Sequence, residues 1–553
     1  MHRMPAVPSC RPCRPSPLTM IALRVGAICV AAFALVAASC SSQAPTESLE
    51  PVELTIAELH DALHEQRTTC RAVVEAHLAR VEAYEWEINA ITVVNERALE
   101  TADSLDAVQR AGGALGELHC VPMLVKDNFD THDLTTAAGS IAMRDHLPPD
   151  DAFMVRQIRE AGAVVVAKTN MAEWAFSPRE TVSSAFDTTR NAYALDRVPA
   201  GSSGGTASGV AAAFGLIGLG SDTGNSIRGP SAHAALVGIR STIGLTSRDG
   251  VVPLAFDRDI AGPMGRTVED VARVFRVVAG PDPADPYTRE AGAHPLPPLE
   301  AMLDAQVLTG TRIGVFAPLV DREETDSGIL EIFDAAVADL RSLGAEVVEV
   351  EFDLQAQLTR PGMFCGRFRY DMAQYLATLG PAAPFADVAE VLDAGAYHPS
   401  VEGSLRRSAD APVDVPPAQW SEPCADYFDN TERLAFRDAV VAAMDAAEVV
   451  ALIHPSWGAP PAHIDRASEE YRADHSQRVA PATGLPALTV PMGWLDDGMP
   501  SGLQWLGRPW ADADLLRLAY AYEQGTRHRR PPPGFPPLTG TGAGPAPAAP
   551  PTP

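Results

Sequence analysis

The sequence predicts an α/β domain whose sheet is covered by helices on both faces. Three observations carry that expectation. Short apolar strands alternate with helix-period segments, no internal repeat interrupts them, and the composition is globular, 46% apolar and 21% charged. With 553 residues the chain has room for a large core.

The elements follow in chain order. Residues 54–99 read as helices, with apolar side chains three and four apart. Phe153–Ala161 reads as a helix leading into a buried strand, Ala163–Ala167. Arg312–Phe316, Ala345–Phe352, Val449–Ile453, Leu488–Pro491 and Leu503–Leu506 read as further strands. Ile329–Leu343, Leu434–Ala447 and Ala513–Gln524 are helices between or beside them, which asks for a sheet buried on both sides. Periodicity weakens from about 353 to 430, and this stretch reads as an insertion that shapes a pocket.

The two ends differ from the middle. Residues 1–39 carry Arg3, Arg11, Arg14 and Arg24 without an acid, then the apolar run Val25–Ala38. That run falls short of the roughly 20 residues that span a bilayer and suits the core of a signal peptide. It ends in Ala37-Ala38-Ser39-Cys40, which resembles the bacterial lipobox, with Ala37 where leucine is usual. The expectation is a lipid anchor on Cys40 at the periplasmic or extracellular face of a bacterial cell envelope; the alternative is a soluble secreted form. Met20 offers a second start, and Cys10 and Cys13 fall in the discarded segment either way. Residues 40–52 read as a tether. Residues 531–553, with ten prolines, read as a disordered tail.

Charge narrows the partners. There are 43 basic and 71 acidic residues, a net charge of −28. Such a surface repels phosphate backbones, so no nucleic-acid partner is expected, and a membrane only through the lipid anchor. Only two of the basic residues are lysine, Lys126 and Lys168. Arginine cannot give up its proton in a protein, whereas a buried lysine can. Downstream of Cys40 lie Cys70, Cys120, Cys365 and Cys424. An exported chain keeps disulfides, and four cysteines allow three pairings; the simpler expectation is small buried hydrophobes.

The least ordinary segment is 199–231, PAGSSGGTASGVAAAFGLIGLGSDTGNSIRGPS, read as two Gly/Ser loops around a helical patch at Val210–Leu216. Neither lysine follows a glycine, which excludes a P-loop. Gly201-Ser202-Ser203-Gly204-Gly205 fits G-x-S-x-G, but Asn191–Ala200 contains Pro199 and charges and is no strand to launch a nucleophile elbow. The 14 histidines show no metal-ligand spacing, so neither metal nor cofactor is expected. A serine nucleophile served by lysine is the remaining chemistry.

Three stretches together resemble the amidase signature family. They are Leu124-Val125-Lys126-Asp127-Asn128, Ala200-Gly201-Ser202-Ser203-Gly204-Gly205, and Gly220-Ser221-Asp222-Thr223-Gly224-Asn225-Ser226-Ile227-Arg228. Similar stretches extend the resemblance from about Leu54 to Arg530. It implies one large catalytic domain at 53–530 on a mixed sheet. It also implies Ser226 as nucleophile, Ser202 as a bridging serine after a cis peptide, and Lys126 as terminal base. The backbone N–H groups of Thr223, Gly224, Asn225 and Ser226 would receive the oxyanion. The chemistry is coherent: a hydroxyl both accepts and donates, so Ser202 can pass a proton from Ser226 to a neutral lysine. Asn225 and Ala200 stand where the family has glycine. Asn225 is expected to tolerate a positive φ. Lys168 is expected to be structural or to face substrate, Asp222 and Arg228 to form a buried pair shaping the loop, Ser203 to brace it, and His233 and His454 to pack or lie at the surface.

The resemblance implies an exported amidase that acts on a small-molecule or peptide amide through an acyl-enzyme. Two alternatives share the fold: the glutaminase subunit of a tRNA-dependent amidotransferase, and a catalytically silent ligand-binding lipoprotein. A Ser-His-Asp esterase ranks last. If Cys40 carries the anchor, Cys40→Ala should move the protein from the membrane to the soluble fraction; equal membrane association of both forms would count against the lipid anchor.

Overall fold

The computed structural model describes residues 49–320 and 323–538. The signal segment, Cys40, most of the tether and the tail beyond 538 lie outside the described residues.

An 11-stranded mixed sheet organises the domain. Its first strands are β1 (Ile91–Val94), β2 (Pro122–Lys126) and β3 (Val164–Thr169). A short hairpin, β4 (Val182–Ser183) and β5 (Asp187–Thr188), stands apart. Then come β6 (Ile217–Asp222), β7 (Val237–Arg240), β8 (Ile260–Gly265), β9 (Arg312–Phe316) and β10 (Glu346–Val350). The last are β11 (Ala451–Pro455), β12 (Ala487–Trp494) and β13 (Pro500–Leu506). The spatial order is β1-β3-β2-β6-β8-β7-β12-β13-β11-β9-β10. β3, β2 and β6 run parallel, as do β11, β9 and β10, and antiparallel pairs join the two groups.

Alternation along single strands shows that both faces are covered. Ile313 and Val315 of β9, Ala451 and Ile453 of β11, and Trp505 of β13 pack with Ile329 and Phe333 of the helix Ser327–Ser342. Their strand neighbours Phe316, Leu452 and Leu506 pack with Phe436, Val440 and Met444 of the helix Thr431–Ala446. Successive side chains of a strand point to opposite faces, so these are two layers of helix with the sheet between them.

Several expectations need correction. Residues 54–99 are not all helix: after Ile56–His64 and Cys70–Ile88, Ile91–Val94 forms edge strand β1 against β3. Its run of four residues is too short to break the helical period of its surroundings. The helical patch of the Gly/Ser segment is Gly204–Ala211 rather than Val210–Leu216, and the second loop begins as strand β6. Glycine serves close approach there, not looseness: a Cβ on Gly205 would lie 2.2 Å from the Asn170 carbonyl oxygen. The insertion folds into short helices, among them Phe368–Leu379, Val388–Ala394 and Glu402–Ser408.

The cysteines are paired rather than free, Cys70 with Cys120 and Cys365 with Cys424. The ends of the domain are also docked further than composition foretells. Pro51 of the expected tether is buried. Glu53 pairs with Arg529 at 2.8 Å. In the expected tail, Phe535 is buried edge-on to Tyr84, and Arg80 donates to the carbonyls of Phe535 and Pro536. Proline richness measures the cost of regular structure, not the value of one aromatic anchor. Phe535→Ala should therefore destabilise the domain by about 3–5 kcal/mol, read as a shift in urea midpoint; a shift indistinguishable from zero would mean the segment does not hold the domain.

Candidate active site

The site forms where three neighbouring parallel strands end. β2 is buried throughout and finishes at Lys126, which lies level with Thr169 at the end of β3. β6 runs beside β2 and ends in Ser221 and Asp222. The carboxyl ends of parallel strands are where α/β sheets open to bind ligands.

Lys126 is wholly buried, with Nζ donating to Ser202 Oγ at 2.8 Å and Ser221 Oγ at 2.9 Å. Asn128 Nδ2 also donates to Ser221 Oγ, at 3.0 Å. Two donors converge on the Ser221 hydroxyl, so it serves Lys126 as an acceptor and occupies one ammonium proton, leaving the Ser202 side for exchange. Burial pushes the Lys126 ammonium down to about 7, against the opposing pull of Asp222 and Asp259.

Ser202 is placed by a cis peptide after Gly201, which in turn follows Ala200 at φ 62. Ala200, not Asn225, is thus the glycine replacement that occupies the left-handed region. An L-residue there costs about 1–2 kcal/mol relative to ordinary backbone, and the Ala200 methyl recovers contact against Trp457 and Ala459. Asn225 is absent from the positive-φ residues. Its side chain is buried and donates to Asp474 Oδ2 at 2.8 Å and the Pro178 carbonyl at 3.4 Å.

The loop 222–228 is clamped by one buried carboxylate. Asp222 accepts from Arg228 Nε at 3.1 Å and Arg240 Nη1 at 3.0 Å, and from the backbone N–H groups of Ile227 and Arg228. Burial alone would raise this carboxyl, but Arg228 and then Arg240 outweigh it and hold it at about 2. Arg228 ties the far side, donating to the Gly224 carbonyl at 2.7 Å and the Ser476 carbonyl at 2.8 Å. Thr223 Oγ1 donates to Asp259. Thr223, Gly224, Asn225 and Ser226 line a cavity of about 280 Å³ together with Phe176, Leu254 and Phe368. Their backbone N–H groups donate to no acceptor among the described residues.

The structure therefore joins Lys126 to Ser202 and to Ser221, which precedes the loop carrying Ser226, and leaves the other lysine out. Among the described residues no hydrogen bond links Ser226 to Ser202. Lys168 is buried and donates to the carbonyls of Phe129 and Thr135 and the hydroxyls of Thr131 and Thr136, fastening the 129–136 loop. Ser203 Oγ donates to the Ser221 carbonyl, a brace as expected. His454 and His233 are both buried, so neither is a surface residue; His454 sits between Pro455 and Gln504, and His233 packs on Trp457. Among the described residues His132, Asp133 and Asp151 converge, but Arg159 pairs with both aspartates and supplies the cation. No sequence motif points to the roles of Ser221 or Asn128. Ser221 lies inside the second Gly/Ser loop, and only its contact with Lys126 reveals it.

Comparison with known proteins gives one answer. The family described as Amidase matches residues 72–516. The glutamyl-tRNA(Gln) amidotransferase A-subunit of a Synechococcus strain is 33% identical over 86% of this chain and 93% of its own. That of Nocardia farcinica is 34% identical over 85% of this chain and 97% of its own. Among solved structures, the native peptide amidase of Stenotrophomonas maltophilia superimposes with a TM-score of 0.76 at 33% identity, covering 87% of this chain and 98% of that one. An amidase family protein of Bacillus anthracis gives 0.75 at 25% identity, covering 87% and 92%.

Because Asp222 holds two guanidiniums at once, Asp222→Asn should cost about 3–5 kcal/mol by leaving buried charge unpaired. Chemical denaturation checks this; a loss under about 1 kcal/mol would mean the clamp is not what holds the loop.

Proposed function

Since the chain belongs to the amidase family and is a hydrolase of amide C–N bonds, we propose that it works through an acyl-enzyme on Ser226. The observation that carries this reading is Lys126, buried, its ammonium pushed down to about 7, and 2.8 Å from Ser202. Ser226 Oγ attacks the amide carbonyl carbon as its proton passes to Ser202, whose own proton passes to neutral Lys126. The N–H groups of Thr223 to Ser226 take the negative charge of the tetrahedral oxygen. Collapse breaks the C–N bond, and the proton returns along the same path to the departing amine. Water then repeats the sequence on the ester and frees Ser226.

We further propose that the protein is exported and lipid-anchored at Cys40. The charged, apolar, small-residue, cysteine order of residues 1–40 supports it, and so do the two cysteine pairs, which suit an oxidising compartment. Among the described residues no helix is long and apolar enough to cross a membrane.

A second reading has its own observation. The Synechococcus and Nocardia relatives are A-subunits of glutamyl-tRNA(Gln) amidotransferases, at 33% and 34% identity over most of the chain. On that reading the same triad would release ammonia from glutamine within an assembly that acts on tRNA. A cytosolic chain with reduced cysteines, inert toward amides when purified alone, would favour it over the exported enzyme.

Fluorophosphonate labelling of wild type but not Ser226→Ala is the expected result, and equal labelling would remove Ser226 from the reaction. Lys126→Arg keeps charge and approximate length but cannot accept a proton. It should lose about 10²- to 10⁴-fold in turnover while remaining folded. Protonated Lys126 is inactive, so the wild-type rate should rise with pH through about 7 and level off above it. Near-wild-type turnover of a folded Lys126→Arg variant would overturn the lysine mechanism.

A further inference from the structure

With no hydrogen bond between Ser226 and Ser202 among the described residues, their spacing is set by the segments that carry them. One side chain reaches from the first segment toward the second. Asn225 immediately precedes Ser226, and its Nδ2 donates to Asp474 Oδ2 at 2.8 Å and, at 3.4 Å, to the Pro178 carbonyl. The same Pro178 carbonyl accepts the Gly201 N–H at 2.8 Å, one residue before Ser202. A Cβ on Gly229 would lie 2.8 Å from Asn225 Nδ2, so the amide has little room to turn.

Asp474 is buried, and its contacts are one-sided. Oδ2 receives Asn225 Nδ2, Gln477 Nε2 at 2.8 Å and the Tyr471 hydroxyl at 3.0 Å. Oδ1 is buried with no hydrogen-bond partner among the described residues. A half-satisfied buried carboxyl costs stability, and what this one holds is the residue beside the nucleophile. The Tyr471 ring packs edge-on to Trp457 with centroids 5.7 Å apart, and Trp457 packs against Ala200. Asn225 is thus joined to the 200–202 segment by two routes, a short one through Pro178 and a longer one through Asp474, Tyr471 and Trp457. Ala200 and Asn225, the two residues that stand where the family has glycine, are the ends of the longer route.

Resting on the acyl-enzyme reading, we propose that the Asn225 side chain is a positioning element: anchored on Asp474, it holds the Ser226 loop against the segment of Ser202. The requirement is geometric. A proton passes between two hydroxyls only when their oxygens come within roughly 2.6–3.2 Å. A misplacement of about 1 Å costs on the order of 10²-fold in rate. The Asn225 amide and the Asp474 carboxyl act on that spacing through the backbone of Ser226, so they govern the rate of attack rather than the binding of a ligand.

The test follows phosphonylation of Ser226 in the purified full chain by a fluorophosphonate over a range of concentrations. This separates the maximal rate, kinact, from the half-saturating concentration, KI. Asn225→Ala should lower kinact about 10- to 100-fold and leave KI nearly unchanged. Asp474→Ala should do the same, and the double variant should lose no more than either, because each removes the same contact. Asp474→Asn keeps an oxygen for the three donors and should restore most of the rate lost in Asp474→Ala. Urea midpoints report the fold of each variant. Where an alanine variant does not fold, the serine variant, too short to span the contact, is read in its place. Wild-type kinact in folded Asn225→Ala, a loss confined to KI, or additive losses in the double variant would each overturn the positioning role and leave the acyl-enzyme standing. Asp474→Asn as slow as Asp474→Ala would do so too. Failure of wild-type Ser226 to label overturns the acyl-enzyme reading itself.

Discussion

The proposed mechanism depends on a lysine ammonium taken out of water at the end of a strand. Burial disfavours the charged form, and the nearby acids Asp222 and Asp259 oppose that effect. Burial is the larger effect, and the Asp222 charge is at the same time engaged by Arg228 and Arg240. The two arginines fix the 222–228 loop through the same carboxylate whose remaining field opposes, without overcoming, the effect of burial on Lys126. Stability and reactivity here share one buried charge network, which is the usual place for a perturbed group to be found.

The bias toward arginine has a physical counterpart in the fold. Arginine with its planar fork is used wherever a permanent cation must bind several oxygens. Arg80 joins Ala212 to Phe535, and Arg433 joins Pro481, Ala482 and Asp257. Both lysines are buried, but only Lys126 contacts Ser202. Lys168 meets carbonyls and hydroxyls of one loop and has no serine of the 202 or 226 stretches among its contacts. Burial draws it down to about 8, yet a lowered pKa without a partner on the reaction path does no chemistry.

Much of this is legible in the sequence where the signal is local and periodic. Arg312–Phe316 appears as read, and the helices near 329, 434 and 513 agree within a few residues because their amphipathic spacing is long. The strands β6 and β8 are not legible. Their Gly, Ser and Pro residues carry no strand preference, and they are strands because each is buried on both faces between paired neighbours. Lys126, Ser202 and Ser226 are visible through their motifs. Ser221 is not, since its meaning lies in a contact between segments 95 positions apart. The two glycine replacements differ for the same reason: only the backbone shows that position 200, rather than 225, is left-handed.

The segment that closes over Ser226 has short helices and weak periodicity, and little sheet pairing of its own. Two things anchor it. Phe368, Met372 and Leu376 pack on Trp174 and Met171, and Cys365, itself in the cavity wall, is bonded to Cys424 across 59 residues. Closing a loop of that length removes about 4 kcal/mol of unfolded-chain freedom on the chain-entropy account. A reducing compartment would return that freedom to a segment that walls part of the cavity beside Ser226. A wall poor in secondary structure keeps its shape best where disulfides persist, so under the proposed export the cysteine pair would tie the compartment to the shape of the cavity.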